Sequence, residues 1–200
     1  MYLQNFICFI SNSFDENDIK DIENQKPDLI VFDSYLASNS YLKRLCKIAP
    51  LALIDDNNNL YNNIPTDYVI NGNIYGEDID YESNGLTGNK LLGPRYLIMR
   101  PEYWEIKEND CNCQNTLMIT TGGSDSLMIM SKLIDSIKKI SLHKILIIGP
   151  FFTKSNIANI EKNKDESISL VFNAPSLLPY IQESNFVLCA AGSTVYEVLR

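Results

Sequence analysis

Apolar runs of strand length recur along the 200-residue chain, separated by stretches of helical spacing. Residues 6–10, 29–32, 51–54 and 68–70 form such runs in the first half, and 117–119, 145–148, 169–172 and 186–189 in the second. The runs are continuous rather than alternating, as expected of strands covered on both faces of a parallel sheet. Between them, Ser13-Phe-Asp-Glu16 fits a capping box opening a stretch with Ile19 and Ile22 on one face. Residues 41–48 and 127–140 carry apolar positions at helical spacing, and Lys138 and Lys139 suit a helix C-terminus. The alternation predicts an α/β fold with parallel sheets and right-handed crossovers.

The rhythm breaks between Pro101 and Asn115, a polar stretch of mixed charge with no strand signal. That break predicts two Rossmann-like domains, 1–100 and 116–200, joined by a connection over 101–115. Both domains read as incomplete. The first lacks a glycine-rich turn after its first strand, where a doubly wound domain usually places one. Residues 193–200 span barely two helical turns, so the chain reads as the middle of something longer.

Two glycine turns carry the chemistry of the second half. Residues 117–125 end in Thr120-Thr-Gly-Gly-Ser-Asp125, and residues 186–197 end in Ala191-Gly-Ser-Thr-Val-Tyr-Glu197. Each reads as a strand that turns at glycine into a capped helix, aiming free N–H groups at a spot where phosphate binds well. Asp125 would repel a phosphate and is expected to cap the helix or face away. Thr194 and Glu197 admit two readings that spacing does not separate. They form a capping box, or the turn holds a pyrophosphate while Glu197 accepts hydrogen bonds from ribose hydroxyls.

In the first half, Asp33-Ser34-Tyr35 and Asp55-Asp56 follow strand runs, at the carboxyl ends where open α/β sheets bind ligands. For Asp56, a loop or capping role is the favoured expectation. No histidine accompanies these carboxylates, which argues against a metal. His143 is the sole histidine and falls at the amino end of its strand, away from where ligands bind.

The formal charge of −8 argues against nucleic acid and anionic membrane as partners, since both demand a basic face. No apolar stretch approaches a membrane span, and the first ten residues lack the basic start of a signal peptide. Cysteines stand at 8, 46, 111, 113 and 189. Their odd number and the isolated C-x-C pair argue for free thiols in a reducing cytoplasm, with Cys8 and Cys189 in the core.

Taken in order, several segments resemble the UDP-sugar hydrolase family of the pseudaminic acid pathway and its spore-coat polysaccharide relatives. They are Pro27-Asp-Leu-Ile-Val-Phe-Asp-Ser-Tyr35, Leu53-Ile-Asp-Asp56, Asp67-Tyr-Val-Ile-Asn71, Leu91-Leu-Gly-Pro-Arg-Tyr-Leu-Ile-Met-Arg-Pro-Glu102 and the two glycine turns. The resemblance extends to the N-acetylglucosaminyltransferase that makes lipid II. It implies a GT-B fold and a UDP-linked deoxy amino sugar as partner, with no cofactor and no metal. It also implies that Gly122, Gly123, Ser124, Gly192, Ser193, Thr194 and Glu197 hold UDP, while Tyr35 and Asp33 line the sugar pocket. The family activates water with a histidine in a Gly-x-Gly-His turn, and no such turn occurs in this sequence. The expectation is therefore a part of a hydrolase that is inactive alone. A UDP-sugar transferase and a non-catalytic nucleotide-sugar-binding remnant are the alternatives.

Overall fold

The computed structural model describes residues 14–105 and 115–199, so Ser13 and the run at 6–10 lie outside the described residues. The chain divides into two compact units, Met1–Ile98 and Met99–Arg200. Each contains a four-stranded parallel sheet. The α/β class read from the apolar runs holds in both, as Rossmann-like halves.

The first unit comprises α1 (Glu16–Gln25), β1 (Ile30–Phe32), α2 (Asn39–Ile48), β2 (Leu51–Ile54), β3 (Tyr68–Asn71) and β4 (Asn89–Leu92). Its strands lie in sequential order, β1-β2-β3-β4. Phe32 pairs with Leu53 and Ile54 with Ile70, so the segments leaving β1, β2 and β3 emerge on one rim. Beneath that rim, Ile19 of α1 and Leu42 and Leu45 of α2 pack on Leu51, Leu53 and Val69. Truncating one such buried leucine costs about 2–5 kcal/mol. Asp15 caps α1, its carboxylate accepting the Asn17 and Asp18 N–H groups, where the sequence suggested a box from Ser13. Strand β4 went unforeseen because it opens on Asn89-Lys90 and is only half-buried at its apolar end.

The second unit comprises α3 (Pro101–Trp104), β5 (Thr116–Thr120), α4 (Ile129–Ile137), β6 (His143–Ile148) and α5 (Lys154–Asn163). It continues with β7 (Ile168–Phe172), α6 (Leu178–Glu183), β8 (Phe186–Cys189) and α7 (Ser193–Leu199). Of the stretch expected to connect two domains, 106–114 lie outside the described residues, and Pro101–Trp104 are helical.

The strand order here is β7-β6-β5-β8. The chain steps outward from β5 to β6 and β7, then returns to set β8 on the other side of β5. This reversal of direction at β5 leaves a crevice beyond the carboxyl ends of β5 and β8, the usual ligand position in such sheets. All five residues of β5 are buried. Leu117 and Ile119 face Met130 and Ile134 of α4, while Met118 belongs with Ile145, Ile147 and the Tyr180 and Ile181 side chains of α6.

Helix α4 is shorter than the 127–140 expected from its apolar spacing. Met128 takes a left-handed conformation at φ 53°, and helical structure starts only at Ile129. The cause is Asp125, whose two carboxylate oxygens accept the Ile129 and Met130 N–H groups at 2.8 and 2.9 Å. Asp125 is itself buried, and Asn156 of α5 donates to it at 3.1 Å.

Candidate functional site

The crevice at the ends of β5 and β8 is a real cleft of about 250 Å³. Gly122 and Gly123 line it from the end of β5, and Ser193, Thr194 and Glu197 from the start of α7. About seventy residues separate these segments, yet the β7-β6-β5-β8 order brings them to one place. Gly149 and Pro150 after β6, residues 173–177 after β7, and Arg100 and Tyr103 complete the wall.

Backbone geometry shapes the first turn. Gly122 has φ 86°, a left-handed conformation that glycine adopts without steric cost. Its N–H donates to the Thr120 hydroxyl at 3.1 Å, and the Phe151 N–H donates to the Gly123 carbonyl at 2.9 Å. Gly149 permits that close approach. A methyl group on it would sit 2.5 Å from both the Gly122 and Gly123 carbonyl oxygens.

Helix starts do not contribute equally here. The first N–H groups of α4 are already taken by the Asp125 carboxylate, so the Gly122–Gly123 turn offers loop amides rather than a helix terminus. Asp125 thus caps the helix, one of the two roles expected of it from sequence. Ser124 is exposed and does not line the cleft; its carbonyl accepts the Thr121 hydroxyl at 3.2 Å. Gly192 also lies off the lining, and its N–H donates to the Ala190 carbonyl at 2.8 Å. Among the described residues, no hydrogen bond engages the Gly123, Ser193 or Thr194 N–H groups. Unpaired amides of this kind suit an anion.

The capping box read as one option at Thr194 and Glu197 does not form, because α7 already begins at Ser193. Glu197 instead lines the cleft, half-buried. Burial pushes its carboxyl above the ordinary glutamate value; Arg100 opposes the shift and Glu102 adds to it. Arg100 donates to the Pro175 carbonyl and lies 4.0 Å from the Glu102 carboxylate, which accepts the Ser176 hydroxyl at 2.7 Å. The Tyr103 hydroxyl accepts the Leu177 N–H at 3.3 Å. These contacts fasten the 100–103 segment to the loop after β7, and they place a guanidinium in a wall otherwise made of backbone and neutral side chains plus Glu197.

Arg100, Tyr103, Gly149 and residues 173–177 were not singled out as site residues from sequence. A glycine at a strand end was the available signal for Gly149. Nothing in the local pattern around Tyr103 announces its place. His143 is exposed at the amino end of β6, as its position in the sequence suggested, and lies away from this cleft.

The first unit gathers polar groups on the rim of its own sheet. Tyr35 is 57% exposed, and its hydroxyl donates to the Asp56 carboxylate. That hydrogen bond, with burial and the charges of Asp56, Asp33 and Asp55, pushes the Tyr35 phenol up to about 12. The other Asp56 oxygen accepts the Asn73 side-chain amide at 2.8 Å, and the Asp56 carbonyl accepts Asn71 Nδ2 at 3.1 Å. Asn71 also donates to the buried Tyr81 hydroxyl at 2.9 Å, which donates onward to the Asp55 carbonyl at 2.8 Å. Asp33 is exposed beside this network. The loop-forming role expected of Asp56 falls instead to Asp55, which accepts the Asn57 N–H at 3.0 Å and also the Asn58 N–H.

Among the described residues, no group of His, Cys, Asp or Glu is arranged to hold a metal, and no helix is long and apolar enough to cross a membrane. Cys46 and Cys189 are free and half-buried; Cys8, Cys111 and Cys113 lie outside the described residues.

No family model matches the chain. It is 26% identical over 199 residues to an uncharacterized protein of Methanocaldococcus jannaschii, an alignment that covers 92% of the chain and 41% of that protein. Among solved structures, the Acinetobacter baumannii MurG crystal structure aligns with a TM-score of 0.45 and 11% identity, over 88% of this chain and 51% of MurG. The chain thus spans two fifths to one half of the length of these proteins.

Proposed function

We propose that the second unit binds the UDP portion of a nucleotide sugar in the cleft between the ends of β5 and β8. The single observation carrying this is convergence: two glycine turns, distant in sequence, meet at the sheet's switch point beside a carboxylate and a guanidinium. The free Gly123, Ser193 and Thr194 N–H groups suit a diphosphate, which Arg100 would also attract. Glu197 suits the ribose diol, because a carboxylate accepts both hydroxyl protons. With Glu197 and Glu102 nearby, the diphosphate is best held on the glycine side of the cleft, away from both carboxylates.

The reaction we infer is hydrolysis of a UDP-linked diacetamido-trideoxyhexose, in GT-B architecture and in the cytoplasm. Water adds to the sugar, the bond from sugar to diphosphate breaks, and UDP leaves with no redox change. Support comes from the ordered motifs that resemble the hydrolases of nonulosonic acid synthesis. Tyr35 and Asp33, on the strand ends of the first unit, are proposed for the sugar. The single histidine stands away from the second unit's cleft, so the general base is not assigned to it. The test is equilibrium dialysis of the purified chain against UDP, UMP and uridine. Binding that strengthens with each phosphate supports the proposal; equal binding of all three, or none, contradicts it.

A further inference from the structure

On the rim of the first unit, one hydrogen bond has a direction that constrains any ligand. The Tyr35 phenol has a single proton, and that proton points to Asp56 Oδ2. Asp56 is not free to turn away. Its Oδ1 is held by Asn73 Nδ2 at 2.8 Å, and its backbone carbonyl by Asn71 Nδ2 at 3.1 Å. Asn71 in turn receives the Asn73 N–H and side-chain amide at 3.0 and 2.9 Å and is anchored on buried Tyr81. The chain of contacts therefore runs from the rigid end of β3, through the end of β2, to the exposed phenol after β1. What the phenol still offers outward is an oxygen lone pair.

The charges that act on the Tyr35 phenol are all carboxylates: Asp56, Asp33 and Asp55. An anionic group brought to this phenol would meet their repulsion and find no proton to accept.

We propose that Asp56 is a positioning residue: it fixes Tyr35 as a hydrogen-bond acceptor, so that the group received there is an uncharged N–H or O–H donor of the ligand. Under the nucleotide-sugar function proposed above, on which this part rests, that donor is a sugar hydroxyl or acetamido N–H, and the diphosphate does not bind there. Tyr35 is then a specificity element and not an acid that protonates a leaving group.

Two measurements on the full chain separate this proposal from the nucleotide one. The first follows the Tyr35 ring carbon by NMR in ¹³Cζ-tyrosine protein, assigned with Tyr35→Phe, as pH is raised. Wild type is expected to titrate near 12, and Asp56→Asn to titrate lower by about 1–2 pH units. Asn73→Ala, which leaves the carboxylate in place but frees one oxygen, is expected to lower it by less. An unmoved titration in Asp56→Asn overturns the positioning role, whatever nucleotide binds. The second compares N-acetylglucosamine with inorganic pyrophosphate as probes of the Tyr35 resonance. A shift with the sugar alone supports the acceptor role; a shift with pyrophosphate, or none with the sugar, overturns it. UDP binding by the second unit is read separately by dialysis, so failure of the nucleotide proposal still leaves the titration to decide whether Asp56 orients Tyr35.

Discussion

The two units use the same materials, four parallel strands with helices, yet build their strand ends differently. In the first, strands in sequential order bring successive loops side by side, and the rim is knitted by side chains: Tyr35, Asp56, Asn71, Asn73 and Tyr81. In the second, the order β7-β6-β5-β8 opens a crevice whose wall includes the glycine turn after β5 and the first residues of α7. Gly122, Gly123 and Gly149 pack main chain against main chain there. Unpaired N–H groups such as those of Gly123, Ser193 and Thr194 suit an anion, whereas a rim of oriented side chains suits an uncharged group with specific donors. Strand order thus sorts which chemistry each unit offers.

The contrast can be broken most forcefully at Asp125. Asp125→Ala removes the cap of α4 and strips Asn156 of a buried partner, with an expected loss of about 2–4 kcal/mol. Trp104 is the only tryptophan and lies in the second unit, so its fluorescence during urea unfolding reads that loss selectively. An equal shift in a first-unit probe would show that the units do not unfold separately.

Next in size is Gly149→Ala. Its methyl group must displace the Gly122–Gly123 turn, at an expected cost of about 1–3 kcal/mol. UDP affinity measured by dialysis should fall at least about tenfold, the equivalent of 1.4 kcal/mol. Retained affinity would show that the turn does not hold the ligand.

Glu197→Gln is expected to weaken UDP binding about three- to tenfold, because an amide accepts fewer ribose protons than a carboxylate. Its effect on folding has the opposite sign at neutral pH. Burial raises the folded-state pKa of Glu197, so the protonated form is the better tolerated one. The stability this contributes is fully present below the ordinary glutamate value and is lost as pH rises through the raised one. Thermal melts should therefore show the second unit losing stability over that window in wild type, and a flatter profile in Glu197→Gln. The smallest effect expected on UDP is that of Tyr35→Phe: its affinity stays within about twofold of wild type, since the phenol faces no phosphate in this scheme.

Much of this was legible in the chain. Seven of the eight apolar runs named from sequence are strands, because short continuous runs between polar stretches suit strands covered on both faces of a parallel sheet. The eighth, at residues 6–10, lies outside the described residues. Strand β4 escaped because its pairing with β3 compensates a polar Asn89-Lys90 opening that carries no local signal. The start of α4 was misplaced for a related reason. Apolar spacing marks which face of a helix is buried, but Asp125 and left-handed Met128 decide where the helix begins. Of the proposed UDP residues, Gly122, Gly123, Ser193, Thr194 and Glu197 line the cleft, while Ser124 and Gly192 do not. The network around Asp56 depends on which strand ends become neighbours, which no single segment encodes.

The central claim is that strand order makes the end of the second unit's sheet a nucleotide-diphosphate site. Calorimetric titration of UDP into the wild-type chain and into Gly149→Ala tests it most directly. The expected result is saturable wild-type binding with Kd below about 1 mM and at least about tenfold weaker binding by the variant. No heat of binding at millimolar UDP, or identical isotherms for the two proteins, would contradict it.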